Sequence, residues 1–240
     1  MYGRRDATVE YRHGPMFCQT ASQGNDMITG QSAYRISWRV LLGLCLWPGF
    51  SAAAVDCQQW HQVLETAEGP VLHRCHPGSP VDEVMIEAHF RSAPERLYAL
   101  VNDYDAFADF IPDVAESRVL ERHGMEQWVF HRLHFPGPVA DRAYVMKSTA
   151  VVTPRPHPVW RVDWALSDRV FSGVEPAKGI HPDSLSGFWV IEPAGGTGMT
   201  NARYAVHSDP GGLLPAWLVM HMTDRYVQQV VAAVRTRLGE

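Results

Sequence analysis

The segment that most constrains this chain is its C-terminal one, beginning Ser208-Asp209-Pro210-Gly211-Gly212-Leu213-Leu214-Pro215-Ala216-Trp217. Asp-Pro-Gly-Gly sets a sharp reversal, because proline fixes φ and the glycines admit positive φ. Pro215 fits the first turn of a helix, where a missing N–H costs nothing. From Trp217 the apolar residues Met220, Val227, Val230, Val231, Val234 and Leu238 recur at spacings of three, four and seven, one continuous helical stripe. Leu213, Leu214, Leu218, Val219 and Met222 widen it at its front end. Such a helix has to lie across something greasy. That is either a packed core or a cavity with an apolar occupant.

The 240 residues suit one domain plus an export segment, and 46% apolar residues can support a sizeable core. The formal net charge is −5, and the first 54 residues hold five Arg against three acidic residues, so the remainder is more acidic still. That balance argues against nucleic acid as a partner and against simple electrostatic docking on anionic lipid. Arg35 and Arg39 precede the apolar run Val40-Leu41-Leu42-Gly43-Leu44-Cys45-Leu46-Trp47-Pro48-Gly49-Phe50, followed by Ser51-Ala52-Ala53-Ala54. A basic flank, a short apolar run and a small-residue site describe a signal peptide, too short for the roughly 20 residues a spanning helix needs. The expected division is a mis-assigned extension over 1–26 ahead of Met27, a signal peptide over 27–54 and one domain over 55–240. The mature protein is expected in the periplasm or secreted. Cleavage leaves Cys57 and Cys75, a candidate disulfide in an oxidising compartment, with two free thiols as the alternative.

Along the mature chain, Asp56 can cap a first helix carrying Trp60, Val63 and Leu64, ended at Glu68-Gly69-Pro70. Two strands follow over 71–76 and 83–90. Ser92-Ala93-Pro94-Glu95 opens a helix with a capping serine, and a second short helix runs through Phe107 and Phe110 to Pro112. Six strands are then expected over 117–122, 126–135, 142–153, 159–167, 185–192 and 199–208, before the terminal helix. Successive antiparallel strands ahead of a long terminal helix make an α+β fold, a curved antiparallel β-sheet wrapped around that helix.

In this order and spacing the chain resembles the START (StAR-related lipid-transfer) domains of the wider Bet v 1-like helix-grip superfamily, and its exported bacterial members in particular. The resemblance rests on the opening helix with Trp60, the helix start Ser92-Ala93-Pro94-Glu95, and Asn102-Asp103-Tyr104 leading to Phe110-Ile111-Pro112. It continues with Phe135-Pro136-Gly137-Pro138 before Asp141-Arg142, then Tyr204 and Asp209-Pro210-Gly211-Gly212-Leu213-Leu214-Pro215 with Trp217. What it implies is a tunnel between sheet and terminal helix, holding one lipid, sterol or similar hydrophobic molecule. It carries no shared catalytic motif and no cofactor. Aromatases and cyclases of polyketides occur in the same superfamily, so an enzyme of that type is the alternative.

Candidate ligand contacts come from strands apolar on both parities, Gln127 to Phe135 and Trp160 to Trp164. A sheet with one wet face should alternate cleanly. Trp128, Phe130, Trp164 and Trp189 are therefore read either as core or as broad tunnel walls. Arg142, with Tyr144 and Met146 on its parity, is a candidate buried cation needing Asp141, Asp163 or a ligand oxygen. Arg132 shares that ambiguity, and Trp217 and Met220 would face the tunnel from the helix. The twelve histidines show no metal or catalytic spacing; His131 and His134 fall on opposite strand faces. The loop 167–182, with Val170 and Phe171, and the turn Asp209–Pro215 are the expected gate. Transient membrane contact and a monomeric state complete the expectations.

Overall fold

The computed structural model describes residues 57–135, 140–154, 157–172, 174, 180–195 and 198–240. The extension 1–26, the signal segment 27–54, Asp56, Pro136-Gly137-Pro138, Gly196-Thr197 and part of the expected gate loop (173 and 175–179) lie outside the described residues.

Alternation of apolar and polar residues governs most of the domain, and the backbone follows it. Three strands, β1 (His61–Thr66), β2 (Gly69–Arg74) and β3 (Glu83–Phe90), precede helix α1 (Pro94–Val101) and a 3-10 helix (Tyr104–Asp109). Six more follow: β4 (Val114–His123), β5 (Glu126–Leu133), β6 (Arg142–Thr153), β7 (Val159–Leu166), β8 (Ser184–Pro193) and β9 (Thr200–Asp209). Helix α2 (Ala216–Leu238) ends the chain. The sheet runs β1-β2-β3-β9-β8-β7-β6-β5-β4, antiparallel throughout. The chain thus lays down one edge, crosses through α1 and the 3-10 helix to the other, and meanders back until β9 pairs with β3. Neighbouring strands in a sheet are rotated by about 20–25° on average, and over the nine strands of the described residues that twist curls the sheet into a trough. The α+β helix-grip expectation is met.

Two local expectations are corrected. The expected first helix is strand β1, paired with β2 from His61↔His73 to Thr66↔Gly69. Glu68-Gly69 is a hairpin turn rather than a helix stop. Thr66 Oγ1 accepts the N–H of Glu68 and of Gly69 (3.2 Å each), and its hydroxyl donates to the Gly69 carbonyl (2.7 Å). Gly69 takes φ 138°, and a Cβ there would collide with the Glu87 carbonyl. Val63 and Leu64 are exposed, so no buried helical face existed to hold them. Likewise Ser92 does not cap α1: the N-cap is Ala93, with Pro94 opening the helix, and no side chain caps it.

Helix α2 starts after Pro215 and ends at Gly239, whose left-handed φ of 84° closes the last turn. Its stripe buries Val219, Val227, Val230, Val231, Val234 and Leu238. All of them but Val219 join Val84, Ile86 and Phe90 of β3 and Tyr204 and Val206 of β9 in one apolar cluster. Each fully buried valine contributes about 1.5–3 kcal/mol relative to exposure. The stripe does not begin at Trp217, which is 70% exposed.

Candidate functional site

Helix α2 rests chiefly on β3 and β9. A second apolar group, Tyr104, Val129, Tyr144 and Met146, lines the β5–β6 side with Phe107, Leu133 and Trp164 around it. Between these two masses lies a cavity of about 370 Å³, within the range of about 300–1,000 Å³ usual for small-molecule sites. Its roof is the inward face of α2, including Val219, Met222, Tyr226, Val230 and Val234. The 3-10 helix closes one end with Tyr104, Phe107 and Phe110, and Pro210 and Leu214 of the turn before α2 border it as well.

The sheet wall follows from register. Cross-strand pairs Leu133↔Arg142, His131↔Tyr144 and Val129↔Met146 put alternate residues of β5 and β6 on one face. Trp164 on β7 stands opposite Gly187 on β8. A Cβ on Gly187 would come within 2.5 Å of the Trp164 ring, so only glycine leaves room for that indole. Trp189 stacks on Tyr204 at 4.5 Å, and Trp164 lies 5.9 Å from the same ring.

Of the ten expected ligand contacts, Arg142, Tyr144, Met146, Trp164 and Trp189 line this cavity. Trp128, Phe130, Arg132, Trp217 and Met220 do not. The first three occupy the outer parity of β5. There Lys147 (5.2 Å) and Arg169 (4.6 Å) lie over the Trp128 ring, and Arg118 (5.2 Å) over Phe130. Arg132 pairs with Glu116 (3.6 Å) and Asp141 (3.4 Å). Met220 packs against the core, where its sulfur accepts the Asp82 N–H at 3.3 Å. Trp217 faces outward.

Arg142 is buried, 3% exposed, but forms neither expected ion pair. Asp163 is held by Arg161, and Asp141 by His134 (2.8 Å) and Arg132. The Arg142 guanidinium donates to backbone carbonyls instead: Nε–H to Pro210 (2.6 Å), Nη2–H to Gly211 (3.3 Å) and Nη1–H to Ala140. The N–H of the Pro210–Gly211 peptide donates to Asp209 Oδ1 at 3.1 Å. One peptide therefore relays the cation to a carboxylate. Desolvation still lowers the Arg142 pKa. Arg142 pins the turn that precedes α2 while forming part of the cavity wall.

The residue that sequence reasoning passed over is His131. It lines the cavity at 5% exposure, and burial pushes its pKa down to about 3, so the ring is neutral. Burial raises the phenols of Tyr104, Tyr144, Tyr204 and Tyr226, keeping them protonated. Asp113, also on the lining, has its carboxyl raised by desolvation and is the one non-glycine among the described residues with positive φ (61°). His221, Arg225 and Gln229 of α2 add exposed polar groups at the margin. The described residues bring no three metal-ligating side chains together. Cys57 and Cys75 stand as free thiols close enough to share a hydrogen bond, which raises the Cys75 pKa to about 11. No disulfide joins them in this structure.

A family model for polyketide cyclase / dehydrase and lipid transport proteins matches residues 91–235. The chain belongs to this family. Its fold is shared with a STAR-related lipid transfer protein from Xanthomonas axonopodis, at 23% identity and TM-score 0.64, over 75% of this chain and 99% of that one. Human StAR-related lipid transfer protein 5 is similar at 14% identity and TM-score 0.63, over 75% and 88% of the two chains. An uncharacterised Pseudomonas aeruginosa protein is 28% identical over 120 residues, 50% of this chain. The matched part spans 57% of that relative's length. The chain therefore has the fold of START domains within the polyketide cyclase / dehydrase and lipid transport family, with a cavity beneath α2.

Proposed function

We propose that this protein binds a single lipid or other hydrophobic small molecule in the cavity beneath α2 and shields it from water, for transfer in the bacterial periplasm. The observation that carries this reading is the cavity itself: about 370 Å³, walled mostly by aromatic and aliphatic side chains. Burying a hydrocarbon there gains about 25 cal/mol per Å² of apolar surface, offset by lost ligand freedom. The basic flank and short apolar run over 27–54 support export, tested by N-terminal sequencing of protein from the host envelope. Leu213 and Trp217 stand fully or mostly exposed beside Leu214, which lines the cavity. They support transient contact of the cavity margin with a bilayer, the protein otherwise acting as a monomer. Solvent extraction of protein purified from its own host tests the main reading. One hydrophobe per chain supports it; protein that carries none and takes up none from host lipid extract excludes it.

A second reading, an aromatase/cyclase-type enzyme acting on a polyketide-like substrate, draws on one observation: a neutral imidazole, His131, on the cavity wall. Turnover of a polyphenolic or poly-β-keto substrate, abolished by His131→Phe, would promote it above the first.

A further inference from the structure

Five described residues hold a buried side-chain nitrogen or oxygen without a hydrogen-bond partner: His76, Ser92, Gln127, His131 and His207. Four of them lie away from the cavity; His131 alone lines it. Native proteins leave few such atoms, and each calls for a reason. The surroundings of His131 supply none. Three rings cage it, Tyr104 (6.1 Å), Phe107 (5.9 Å) and Tyr144 (5.8 Å). Phe107 has no polar atom, and the Tyr104 hydroxyl donates to Ser148 Oγ at 2.8 Å. Nε2 of His131 is left unpaired.

We propose that His131 is the polar anchor of the bound molecule, and that this molecule is an apolar compound bearing a hydroxyl or carbonyl oxygen, seated with that oxygen at the His131–Tyr144 pair of β5 and β6. The inference rests on the ligand-binding reading above and specifies the class of ligand. A neutral imidazole offers one donor and one acceptor, which suits a hydroxyl in either role and a carbonyl as acceptor. Nothing about it selects an anion. The buried cation of the cavity, Arg142, is already engaged with three carbonyls and relayed to Asp209. The four phenols of the lining, Tyr104, Tyr144, Tyr204 and Tyr226, are uncharged. Of the other charged groups on the lining, Asp113 lies just before β4 beside the end of β5, and Arg225 at an exposed position of α2. An apolar ligand with no oxygen would leave His131 unpaired, and that deficit becomes discrimination.

The test is a fluorescence titration at pH 7 with pyrene, 1-hydroxypyrene and 1-pyrenecarboxylate, on the mature protein and on His131→Phe and His131→Asn. The expected result is that the unmodified protein prefers 1-hydroxypyrene over pyrene by about tenfold or more, a single hydrogen bond to an otherwise unpaired group. His131→Phe abolishes the preference by weakening 1-hydroxypyrene about tenfold more than it changes pyrene, and His131→Asn restores part of it. Equal preference in His131→Phe overturns the assignment, as does tighter binding of 1-pyrenecarboxylate than of 1-hydroxypyrene. Loss of pyrene binding along with the preference in both variants marks His131 as merely structural and overturns it too. If none of the three probes binds the unmodified protein while host lipid extract is still taken up, this assignment alone fails; if neither is bound, the ligand-binding reading fails with it.

Discussion

Replacing His131 with phenylalanine removes a titrating group without removing an aromatic ring, and the structure fixes how stability should respond to pH. In the folded protein the imidazole has its pKa pushed down to about 3 by burial, from 6.5. Above pH 6.5 the ring is neutral in both folded and unfolded chains and contributes no pH dependence. As pH falls below 6.5 the unfolded chain takes up a proton that the folded one refuses. Stability is therefore lost on acidification, at about 1.4 kcal/mol per pH unit until the folded ring also protonates near pH 3. Between pH 7.5 and 5.0 that amounts to about 2 kcal/mol from this one residue. Urea unfolding at both pH values, on unmodified protein and on His131→Phe, isolates the term, because every other histidine is common to both. The variant should lose about 2 kcal/mol less than the unmodified protein over that interval. Equal losses would refute the reasoning: the ring would then be hydrated or partnered, and neither neutral nor isolated.

Three further outcomes follow from the geometry. Arg142→Met removes three hydrogen bonds from a charged donor, two of them to the turn before α2; a loss of about 2–4 kcal/mol in urea unfolding and faster proteolysis at residues 209–215 are expected, and an unchanged midpoint would contradict the pinned turn. The Cys75 thiol, raised to about 11 beside Cys57, should alkylate more slowly than Cys57 at pH 8, and Cys57→Ser should speed it; equal rates in reduced protein would mean that the thiols do not meet. Leu213→Ser with Trp217→Ser, two exposed positions, should weaken sedimentation with phosphatidylcholine vesicles while shifting the unfolding free energy by no more than about 0.5 kcal/mol; unchanged vesicle binding would remove the bilayer from the account.

Much of the fold was legible because burial and periodicity coincide. The stripe from Val227 to Leu238 could serve only a helix, and strands β3 and β5 to β9 are bounded by the turn residues that announced them. The opening segment misled because His61 to Thr66 is an edge strand with an exposed outer row. Its apolar residues obey no core-facing period, and Gly69 reads equally as helix stop and hairpin turn. The site was half legible. Parity put Arg142, Tyr144 and Met146 on the face that lines the cavity, since β6 buries one clean face. On β5 the outer face carries Trp128 and Phe130, covered by Lys147, Arg169 and Arg118, so both faces look apolar and the aromatic one is the wrong one. His131 sits two residues from Val129 and Leu133 on the inner face, but only the β5–β6 register brings it to Tyr144. The partners of Arg142 were out of reach for a related reason. A search for acidic residues cannot find backbone carbonyls 68 and 69 positions along the chain.

The claim beneath all of this is that a hydrophobic molecule occupies the space under α2. Native mass spectrometry of the mature protein from its own host, beside a Leu185→Trp variant that fills the cavity, tests it most directly. The account predicts an adduct of one hydrophobe per chain on the unmodified protein and its loss from the variant, with both folded. An adduct of equal stoichiometry on both proteins would place the ligand elsewhere and contradict the account.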